Sequence, residues 1–192
     1  MVVCLFCRLK IMEITEFRPH QFAQTVRYAF VDTPYGATLA GWCDAGLCYW
    51  GFCTGSRAEA VADVQRRFPR SPLREVAAGE CTEVGNLNYA SLVQSQRLCL
   101  VGTEFRCRVW RELLNIGRGE RVSYGDLARR LGIAGLGVRA VGQAVGANPL
   151  CIIVPCHRVI ASDGTLGGYH WGLSIKCRLL EAENVARFDK NR

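Results

Sequence analysis

Cys156 is one of eleven cysteines, and its neighbours in the sequence could stabilise it as a thiolate nucleophile. It follows an apolar run over residues 150–154 and Pro155. His157 and Arg158 come directly after it. The thiolate is the nucleophilic form of cysteine, and a neighbouring cation lowers the pKa of the thiol. Because free cysteines are also among the most frequently buried residues, spacing alone leaves a structural role for Cys156 open.

Two ionisable side chains on the last predicted helix, Lys176 and Glu183, are expected to point toward the interior. Helical geometry puts both near the centre of the apolar face of a helix from Leu173 to Glu183. A buried charge is costly unless it is paired, so each side chain predicts a partner or a task. An ion pair between the two, or a lysine that reaches water, is the alternative. The apolar positions of that face are Leu173, Leu179 and Leu180.

A short helix before Cys156, predicted from Val138 to Gly146, has one face of small and polar residues. Its inward side carries Val138, Val141 and Val145, and the opposite face carries Arg139, Ala140, Gln143 and Ala147. Small residues allow a helix to approach another surface closely. The helix before it begins at the capping box Ser123-Tyr124-Gly125-Asp126 and ends at Gly132. The pair is typical of a helix-turn-helix, and an ordinary helical pair is the alternative.

The rest of the second half must hold these residues in place. Its first helix is predicted from Phe105 to Ile116, with Val109 and Leu113 at helical spacing. Residues 150–154 are predicted to form a buried strand, which Pro155 ends just before the candidate nucleophile. We therefore predict a mostly α C-terminal domain over residues 99–192.

The first half differs from the second, because its sequence predicts strands and one helix. Strands are predicted over Tyr28 to Val31, Ala37 to Trp42 and Leu47 to Phe52. A helix that begins in the capping box Ser56-Arg57-Ala58-Glu59 covers them. Its apolar stripe consists of Ala60, Val61, Val64 and Phe68. We predict an α/β N-terminal scaffold domain over residues 1–98, with a small antiparallel sheet and a covering helix.

Composition narrows the class of protein. A chain of 192 residues is long enough for two small domains, and its formal charge of +7 and pI of about 9.0 fit a partner that carries phosphates. Eleven cysteines in a long, half-apolar chain are unlike a secreted disulfide scaffold. Without a signal-peptide pattern or a run of about 20 apolar residues, we expect an intracellular, reducing location and no membrane contact. Translation could start at Met1 or Met12.

The candidate site residues are part of an ordered string of motifs between Gly102 and Glu183. In chain order the string contains Gly119-Glu120-Arg121-Val122-Ser123-Tyr124-Gly125, Arg139-Ala140-Val141-Gly142, Asn148-Pro149, Pro155-Cys156-His157-Arg158-Val159 and Gly167-Gly168-Tyr169-His170-Trp171-Gly172-Leu173. On these motifs the chain resembles the O6-alkylguanine-DNA alkyltransferases, the methylated-DNA-protein-cysteine methyltransferase family. Before Gly102 the resemblance is limited to the turn pattern over residues 33–36.

The resemblance implies a self-inactivating methyltransferase that repairs DNA by direct reversal of damage. A methyl or other alkyl group would move irreversibly from O6 of guanine, and from O4 of thymine, to the protein. No cofactor and no metal are implied, the partner is double-stranded DNA, and a monomer is expected. The implied catalytic residues are Cys156 as acceptor, His157 as its water-mediated base, Glu183 as the carboxylate that orients His157, Tyr124 as proton donor to guanine, Asn148 as brace of the turn and Lys176 as support for the thiol.

The resemblance also implies that the guanine rotates out of the duplex, because a thiolate cannot reach O6 inside the base stack. The helix with small residues would lie in the minor groove, where Arg139 would fill the vacated space. The implied DNA contacts are Arg139, Ala140, Gln143, Ser123 and Arg106, and the implied base pocket is formed by Tyr124, Val159, Tyr169, His170 and Trp171. For the N-terminal domain a ribonuclease H-like fold is implied.

Several positions depart from the family pattern. His170 and Trp171 leave the range of accepted alkyl groups open, and the turn over residues 133–137 contains more glycine than expected. A few family members bind zinc in the first half. Cys43, Cys48 and Cys99, or Cys4 and Cys7, could imitate such a site, with His20 as a weak substitute for a histidine ligand.

Two other functions compete with the repair reaction. One is a module that binds alkylated guanine without reacting, although such proteins lack the cysteine of this motif. The other is a thiol hydrolase or acyltransferase built from Cys156, His157 and Glu183, which would turn over many times. A strict limit of one reaction per protein molecule separates the repair function from the hydrolase.

Overall fold

The computed structural model describes residues 13–77 and 97–183, which form two compact units. The described residues of the first unit are 13–77 and 97–107, and those of the second are 108–183. The first unit contains a large sheet and a helix, and the second contains helices and a two-stranded sheet. The predicted α/β first half and mostly helical second half are confirmed.

The predicted helices, and the predicted strands of the first half, are present with bounds close to the expected ones. The strands are β1 (Glu13–Phe17), β2 (Val26–Thr33), β3 (Gly36–Cys43), β4 (Gly46–Phe52), β5 (Leu73–Glu75), β6 (Arg97–Val101), β7 (Val122–Ser123) and β8 (Val159–Ile160). The helices are α1 (Arg57–Arg67), α2 (Glu104–Leu114), α3 (Tyr124–Arg130), α4 (Gly137–Gly146) and α5 (Leu173–Ala182), and Cys156–Arg158 form a 3₁₀ turn. In residues 13–77 and 97–183, no helix is long and apolar enough to cross a membrane.

The large sheet has the strand order β1-β6-β4-β3-β2-β5. β2, β3 and β4 form the predicted antiparallel meander, whereas β1 with β6, β4 with β6, and β2 with β5 pair in parallel. The sheet is therefore mixed, and the prediction of an antiparallel sheet is wrong. Tight turns reveal a meander in the sequence, but parallel partners come from distant segments that no local pattern links.

Helix α1 covers one face of this sheet. Ser56 and Glu59 form the predicted capping box, because the Ser56 hydroxyl accepts from the Glu59 amide and the Glu59 carboxylate accepts from the Ser56 amide. Val64 and Phe68 of the apolar stripe are buried in a core cluster that also contains Phe22 and three cysteines. These three, Cys43, Cys48 and Cys99, are called the cysteine cluster below.

The second unit is organised around α2 and α4. Trp110 of α2 is buried, and its indole Nε1 donates to the carbonyl of Ala144 in α4 at 2.8 Å. Strand β7 leads directly into α3, where the Ser123 hydroxyl accepts from the Asp126 amide as the predicted cap. Because β7 pairs with β8, the start of α3 is attached to the segment that follows Cys156.

The segment before Cys156 is buried but is not a strand. Residues 151–153 form turns, the Val154 amide donates to the Leu150 carbonyl, and Ile152 has a φ of 67°. The predicted strand over residues 150–154 is therefore wrong, although its burial is confirmed. The Asn148 side chain binds the backbone of Leu150 and Val154, so part of the polar backbone is satisfied without a ladder partner.

Helix α5 presents both charged residues to the interior, as predicted. Lys176 is 0% exposed and Glu183, just past the helix end, is 8% exposed. Leu179 and Leu180 are buried on the same side. The prediction for Leu173 is wrong, because this side chain is 48% exposed. It is the first helical residue, and helical periodicity cannot tell where the neighbouring elements stop covering a helix end.

Candidate active site

The Cys156 thiol lies at the first residue of the 3₁₀ turn and is fixed by Asn148. The Asn148 amide nitrogen is 3.1 Å from Sγ of Cys156 and also contacts the carbonyls of Val154, at 2.8 Å, and Leu150, at 3.2 Å. Its amide oxygen accepts from the Leu150 amide at 3.0 Å. One side chain thus holds both the turn and the thiol that the turn presents.

The environment of the thiol has opposing effects on its ionisation. Burial raises the pKa of Cys156, while the hydrogen bond from Asn148 and the positive charge of Lys176 lower it. Burial is the larger effect, so the pKa stays above its ordinary value. Because the reactive form is the thiolate, Cys156 needs a base that removes its proton when a substrate is bound.

His157 and Glu183 supply such a base and its partner. His157 Nε2 lies 3.0 Å from a Glu183 carboxylate oxygen. Its other nitrogen, Nδ1, is buried and has no hydrogen-bond partner among the residues that the structure describes. Burial lowers the pKa of His157 and outweighs the opposing effect of Glu183, so the imidazole is neutral at neutral pH. A neutral ring whose Nε2–H donates to the carboxylate keeps Nδ1 as a proton acceptor.

Arg158 binds Glu183 and not the thiol, which corrects the expectation that it stabilises Cys156. Its Nε donates to one carboxylate oxygen at 3.0 Å and its Nη2 donates to the other at 2.8 Å, while Nη1 donates to the Ile116 carbonyl. Burial opposes ionisation of Glu183, but the hydrogen bonds and charges of His157 and Arg158 lower its pKa to about 2. Glu183 is therefore a carboxylate at every physiological pH.

Lys176 lies on the other side of the 3₁₀ turn. Its ammonium donates to the carbonyls of Val159, at 2.6 Å, Leu166 and Gly168. The alternative of an ion pair with Glu183 is wrong, because that carboxylate is bound by His157 and Arg158. Burial lowers the pKa of Lys176 to about 8, against the effect of the Cys156 charge. The lysine thus joins the first residue of β8 to two carbonyls of the loop that follows this strand.

A cavity of about 270 Å³ opens onto the Cys156 thiol. This volume is near the lower end of the roughly 300–1,000 Å³ typical of small-molecule sites, which fits one heterocyclic base. It is lined by Tyr124, Gly142, Val145, Gly146, Cys156, Gly168, Tyr169, His170 and Trp171. Of the predicted pocket residues, Tyr124, Tyr169, His170 and Trp171 are brought together. Val159 is not part of the lining, and its carbonyl binds Lys176 instead.

Two tyrosines frame this cavity. Burial and the neighbouring Cys156 raise the pKa of Tyr124, so its hydroxyl keeps its proton. Gly167, with a φ of +63°, passes so close to the Tyr124 ring that a Cβ there would lie 3.2 Å from it. Tyr169 packs edge-on against Trp171 at 5.4 Å, and burial raises the pKa of its hydroxyl well above 10. The cavity wall is therefore aromatic, with protonated hydroxyl groups near the thiol.

The DNA-binding domain model of 6-O-methylguanine DNA methyltransferase matches residues 104–185. A methylated-DNA-protein-cysteine methyltransferase of Mycobacterium leprae is 41% identical over 80% of this chain and 76% of its own length. One of Methanosarcina acetivorans is 37% identical over 81% of this chain and 97% of its own length. The chain belongs to the methylated-DNA-protein-cysteine methyltransferase family. The resemblance read from the sequence is confirmed.

Other members of this methyltransferase family match over different shares of their length. The bifunctional transcriptional activator/DNA repair enzyme Ada of Escherichia coli is 38% identical over 92% of this chain, which spans about half, 51%, of Ada. The crystal structure of the Mycobacterium tuberculosis O6-methylguanine methyltransferase has a TM-score of 0.64 at 32% identity, covering 86% of this chain and 97% of that one. The crystal structure of M. tuberculosis OGT in complex with DNA has a TM-score of 0.60 at 34% identity, and the match covers 82% of this chain and 92% of that one.

Sequence reasoning misses part of this site. Gly142, Val145 and Gly146 line the cavity from α4, whereas the helical pattern predicts only inward packing for Val145. The available signal was the pair of glycines one turn apart, which leaves space beside the helix. The partner of Arg158 was also missed, because its carboxylate is 25 residues away in sequence and no spacing rule connects them.

The predicted DNA-contacting residues occupy different surroundings. Arg139, Ala140 and Gln143 are exposed on one face of α4, while Val138 is only partly buried on the other. The Ser123 hydroxyl is engaged in capping α3 and also donates to the Asp126 carboxylate at 2.7 Å. Arg106 is exposed on the part of α2 that belongs to the first unit.

The candidate metal ligands of the first half are Cys43, Cys48, Cys99 and His20, together with Cys4 and Cys7. Within residues 13–77 and 97–183, no group of three or more histidine, cysteine or acidic side chains is arranged to hold a metal ion. The cysteine cluster is therefore not such a site, and His20 lies exposed. Cys4 and Cys7 lie outside the described residues. The cysteine cluster is a set of buried, free thiols.

Proposed function

We propose that this protein repairs alkylated DNA by moving an alkyl group from O6 of guanine to Sγ of Cys156. The observation that carries the proposal is the thiol at the wall of a base-sized cavity, next in sequence to a histidine whose buried Nδ1 has no hydrogen-bond partner within residues 13–77 and 97–183. An orphaned buried acceptor costs stability, so its retention points to a task. Family membership supports the same reaction.

The proposed reaction balances as follows. The Cys156 proton moves to Nδ1 of His157 through a water molecule, and Glu183 holds the ring and stabilises its transient charge. The sulfur attacks the alkyl carbon, the bond from that carbon to O6 breaks, and its electron pair stays on the guanine. Tyr124 gives its hydroxyl proton to the guanine and regains one from His157 through solvent. The products are a thioether on Cys156 and an unmodified guanine.

Lys176 and Asn148 support the thiolate in this reaction. The Asn148 amide donates to the sulfur, and the Lys176 ammonium lowers the pKa of Cys156. A thioether has no ready leaving group, so the thiol is not regenerated and each molecule acts once. The chemistry requires no cofactor. The same geometry accepts O4-alkylthymine, whose alkyl group is also attached to an exocyclic oxygen.

Double-stranded DNA is the proposed partner, and α3 and α4 are the proposed helix-turn-helix. The exposed Arg139, Ala140 and Gln143 would contact the minor groove, where small residues permit close approach. Arg139 would fill the stack after the guanine rotates into the cavity. Ser123 and Arg106 are the proposed phosphate contacts, so binding should weaken with salt. A related M. tuberculosis protein has been crystallised with DNA.

We propose an N-terminal scaffold with a ribonuclease H-like fold and a C-terminal alkyltransferase domain that contains every proposed catalytic group. Because β6 belongs to the sheet of the first unit, we propose the join between the two after residue 107 and not after residue 98. A monomer suffices, because all these groups come from one chain. His170 and Trp171 form part of the cavity wall and set the size of the alkyl group that fits.

The test is a stoichiometric reaction with duplex DNA that contains one O6-methylguanine. We expect one methyl group per protein, on the peptide that contains Cys156, and none after Cys156→Ala. Cys151→Ala is the matched control, because it removes a neighbouring buried thiol and should still be methylated. A methyl group that stays on the DNA would favour the binding module. Repeated turnover on an ester or amide would favour the thiol hydrolase.

A further inference from the structure

We propose that Arg158 is a positioning residue that balances the charge of Glu183, so that His157 remains a neutral base. This inference rests on the proposed function, in which His157 accepts the proton of Cys156. It assigns to Arg158 a role in the reaction that its place beside the nucleophile did not predict.

The three side chains form one buried cluster. His157 is 1% exposed, Arg158 is 7% exposed and Glu183 is 8% exposed. One Glu183 oxygen, Oε1, is shared by His157 Nε2 at 3.0 Å and Arg158 Nη2 at 2.8 Å. The other oxygen, Oε2, accepts from Arg158 Nε at 3.0 Å and lies 3.5 Å from the Gly119 amide. The carboxylate therefore cannot rotate without losing contacts on both oxygens.

The guanidinium is anchored from its far side as well. Arg158 Nη1 donates to the Ile116 carbonyl at the end of the segment that follows α2. A planar guanidinium places several donors in one fixed plane, which suits a carboxylate edge plus one further acceptor. A lysine ammonium lacks this plane. The only lysine among the described residues, Lys176, binds three backbone carbonyls instead.

Electrostatics explain why the charge balance matters. A lone carboxylate in contact with an imidazole favours the charged imidazolium, which cannot accept another proton. With Arg158 in place, the carboxylate and the guanidinium together carry no net charge. The charged groups that act on His157 are Glu183 and Lys176 at α5 and Arg158 in the 3₁₀ turn, and both cations oppose protonation of the ring. Removing Arg158 leaves His157 as the one side chain that binds Glu183 among the described residues.

The experiment measures two pH dependences in Arg158→Met. One is the single-turnover rate of methyl transfer from duplex DNA, and the other is the titration of His157 by NMR. We expect the pKa of His157 to rise, because the charge of Glu183 beside the ring is no longer balanced. Transfer should then fall several-fold more at pH 6 than at pH 8, because a larger fraction of the ring is protonated at pH 6, while DNA affinity is unchanged.

Three further variants keep the inference testable. Arg178→Met removes an exposed arginine from α5 and should leave both profiles unchanged. Arg158→Lys restores charge without the planar contacts and should restore the pKa of His157 more completely than the rate. If Arg158→Met does not fold, Arg158→Met with Glu183→Gln removes both charges together, and His157 should titrate as low as in the unaltered protein.

The outcomes separate the inference from the proposed function. A loss of transfer that is equal at all pH values, with an unchanged His157 titration, overturns the role of Arg158. A double variant in which His157 titrates higher than in the unaltered protein overturns it too. If the unaltered protein does not methylate Cys156, the proposed function fails, yet the NMR titration still measures the balance between Arg158 and Glu183.

Discussion

Cys156 in the second unit and the cysteine cluster in the first unit are all strongly buried, but their surroundings differ. Cys156 is 5% exposed, Cys43 is 1% exposed, and Cys48 and Cys99 are 0% exposed. In the cluster, Cys43 and Cys48 donate to backbone carbonyls at 3.5 and 3.3 Å, and aromatic and aliphatic side chains pack around them. These thiols act as small apolar residues with weak donors.

The partners of Cys156 differ from those of the cysteine cluster. Its sulfur accepts from Asn148, faces the charge of Lys176 and opens onto a cavity. Burial raises the pKa of Cys48 well above its ordinary value, and no cation is among the groups that act on it. Burial therefore does not distinguish a thiol with a proposed reaction from a structural one. Access through a cavity and a nearby base and cation do.

Removing the two kinds of thiol gives the largest expected contrast. Cys156→Ala should abolish methyl transfer, because no other described thiol is placed at the cavity wall. The variant should still bind duplex DNA, since Cys156 is not one of the proposed DNA contacts. Transfer is measured by mass spectrometry of the labelled peptide, and affinity by titration with fluorescent duplex. Residual transfer to any other cysteine would remove the distinction between the two environments.

Loss of the base should give the next largest effect. His157→Gln keeps a polar side chain of similar size but cannot take the proton, so transfer at pH 7 should fall about 10²–10⁴-fold. The deficit should shrink at alkaline pH, where Cys156 ionises without help. His20→Gln, at an exposed position of the first unit, is the matched control and should react at the normal rate. An equal loss in both variants would exclude a specific role for His157.

Lys176 should contribute a smaller, pH-dependent effect. Lys176→Met removes the cation beside Cys156, and transfer at pH 7 should fall about tenfold, which corresponds to roughly one pKa unit of thiol ionisation. Because the pKa of Lys176 is lowered to about 8, this lysine loses its charge as pH rises through 8. The ratio of the transfer rate of the unaltered protein to that of Lys176→Met should therefore fall toward one above pH 8. A ratio that stays constant from pH 6 to 9.5 would assign the lysine a purely structural role.

The same lysine links pH to stability. Its folded pKa lies below the ordinary value of 10.5, so the protonated form is disfavoured in the folded state. The destabilisation is complete below pH 8 and disappears as pH rises toward 10.5. Thermal unfolding should show this rise in stability, by up to about 3 kcal/mol, for the unaltered protein and not for Lys176→Met. An equal rise of stability with pH in the unaltered protein and in Lys176→Met would contradict this effect of Lys176.

Several of these features can be predicted from the sequence, because they depend on residues that are close together in the chain. The cap at Ser56, the exposed face of α4 and the inward Lys176 follow from helical periodicity and capping chemistry, which involve residues within a few positions. The motifs around Cys156 were specific enough to give the family. These features can therefore be predicted without knowledge of the tertiary structure.

Other features depend on distant partners and could not be read in this way. Arg158 binds a carbonyl 42 residues earlier, and β6 lies between β1 and β4, which come from separate parts of the chain. The predicted strand over residues 150–154 failed because the Asn148 side chain replaces ladder partners, an option that an apolar run does not reveal. The cluster of three thiols likewise depends on the pairing of β4 with β6.

The smallest expected effect on transfer, with a clear effect on stability, comes from the cysteine cluster. Cys48→Ala removes a fully buried sulfur that donates to the Gly41 carbonyl, so the free energy of unfolding should fall by about 1–2 kcal/mol through loss of packing and of a weak hydrogen bond. Transfer to Cys156 should stay within about twofold, because no cluster thiol takes part in the reaction. Cys53→Ala, at a half-buried position outside the cluster, is the control and should cost less stability. Chemical denaturation measures the first quantity and single-turnover methyl transfer the second. A variant that keeps its stability but loses transfer would show that the cluster supports the reaction, and the contrast between buried structural thiols and one reactive thiol would then be wrong.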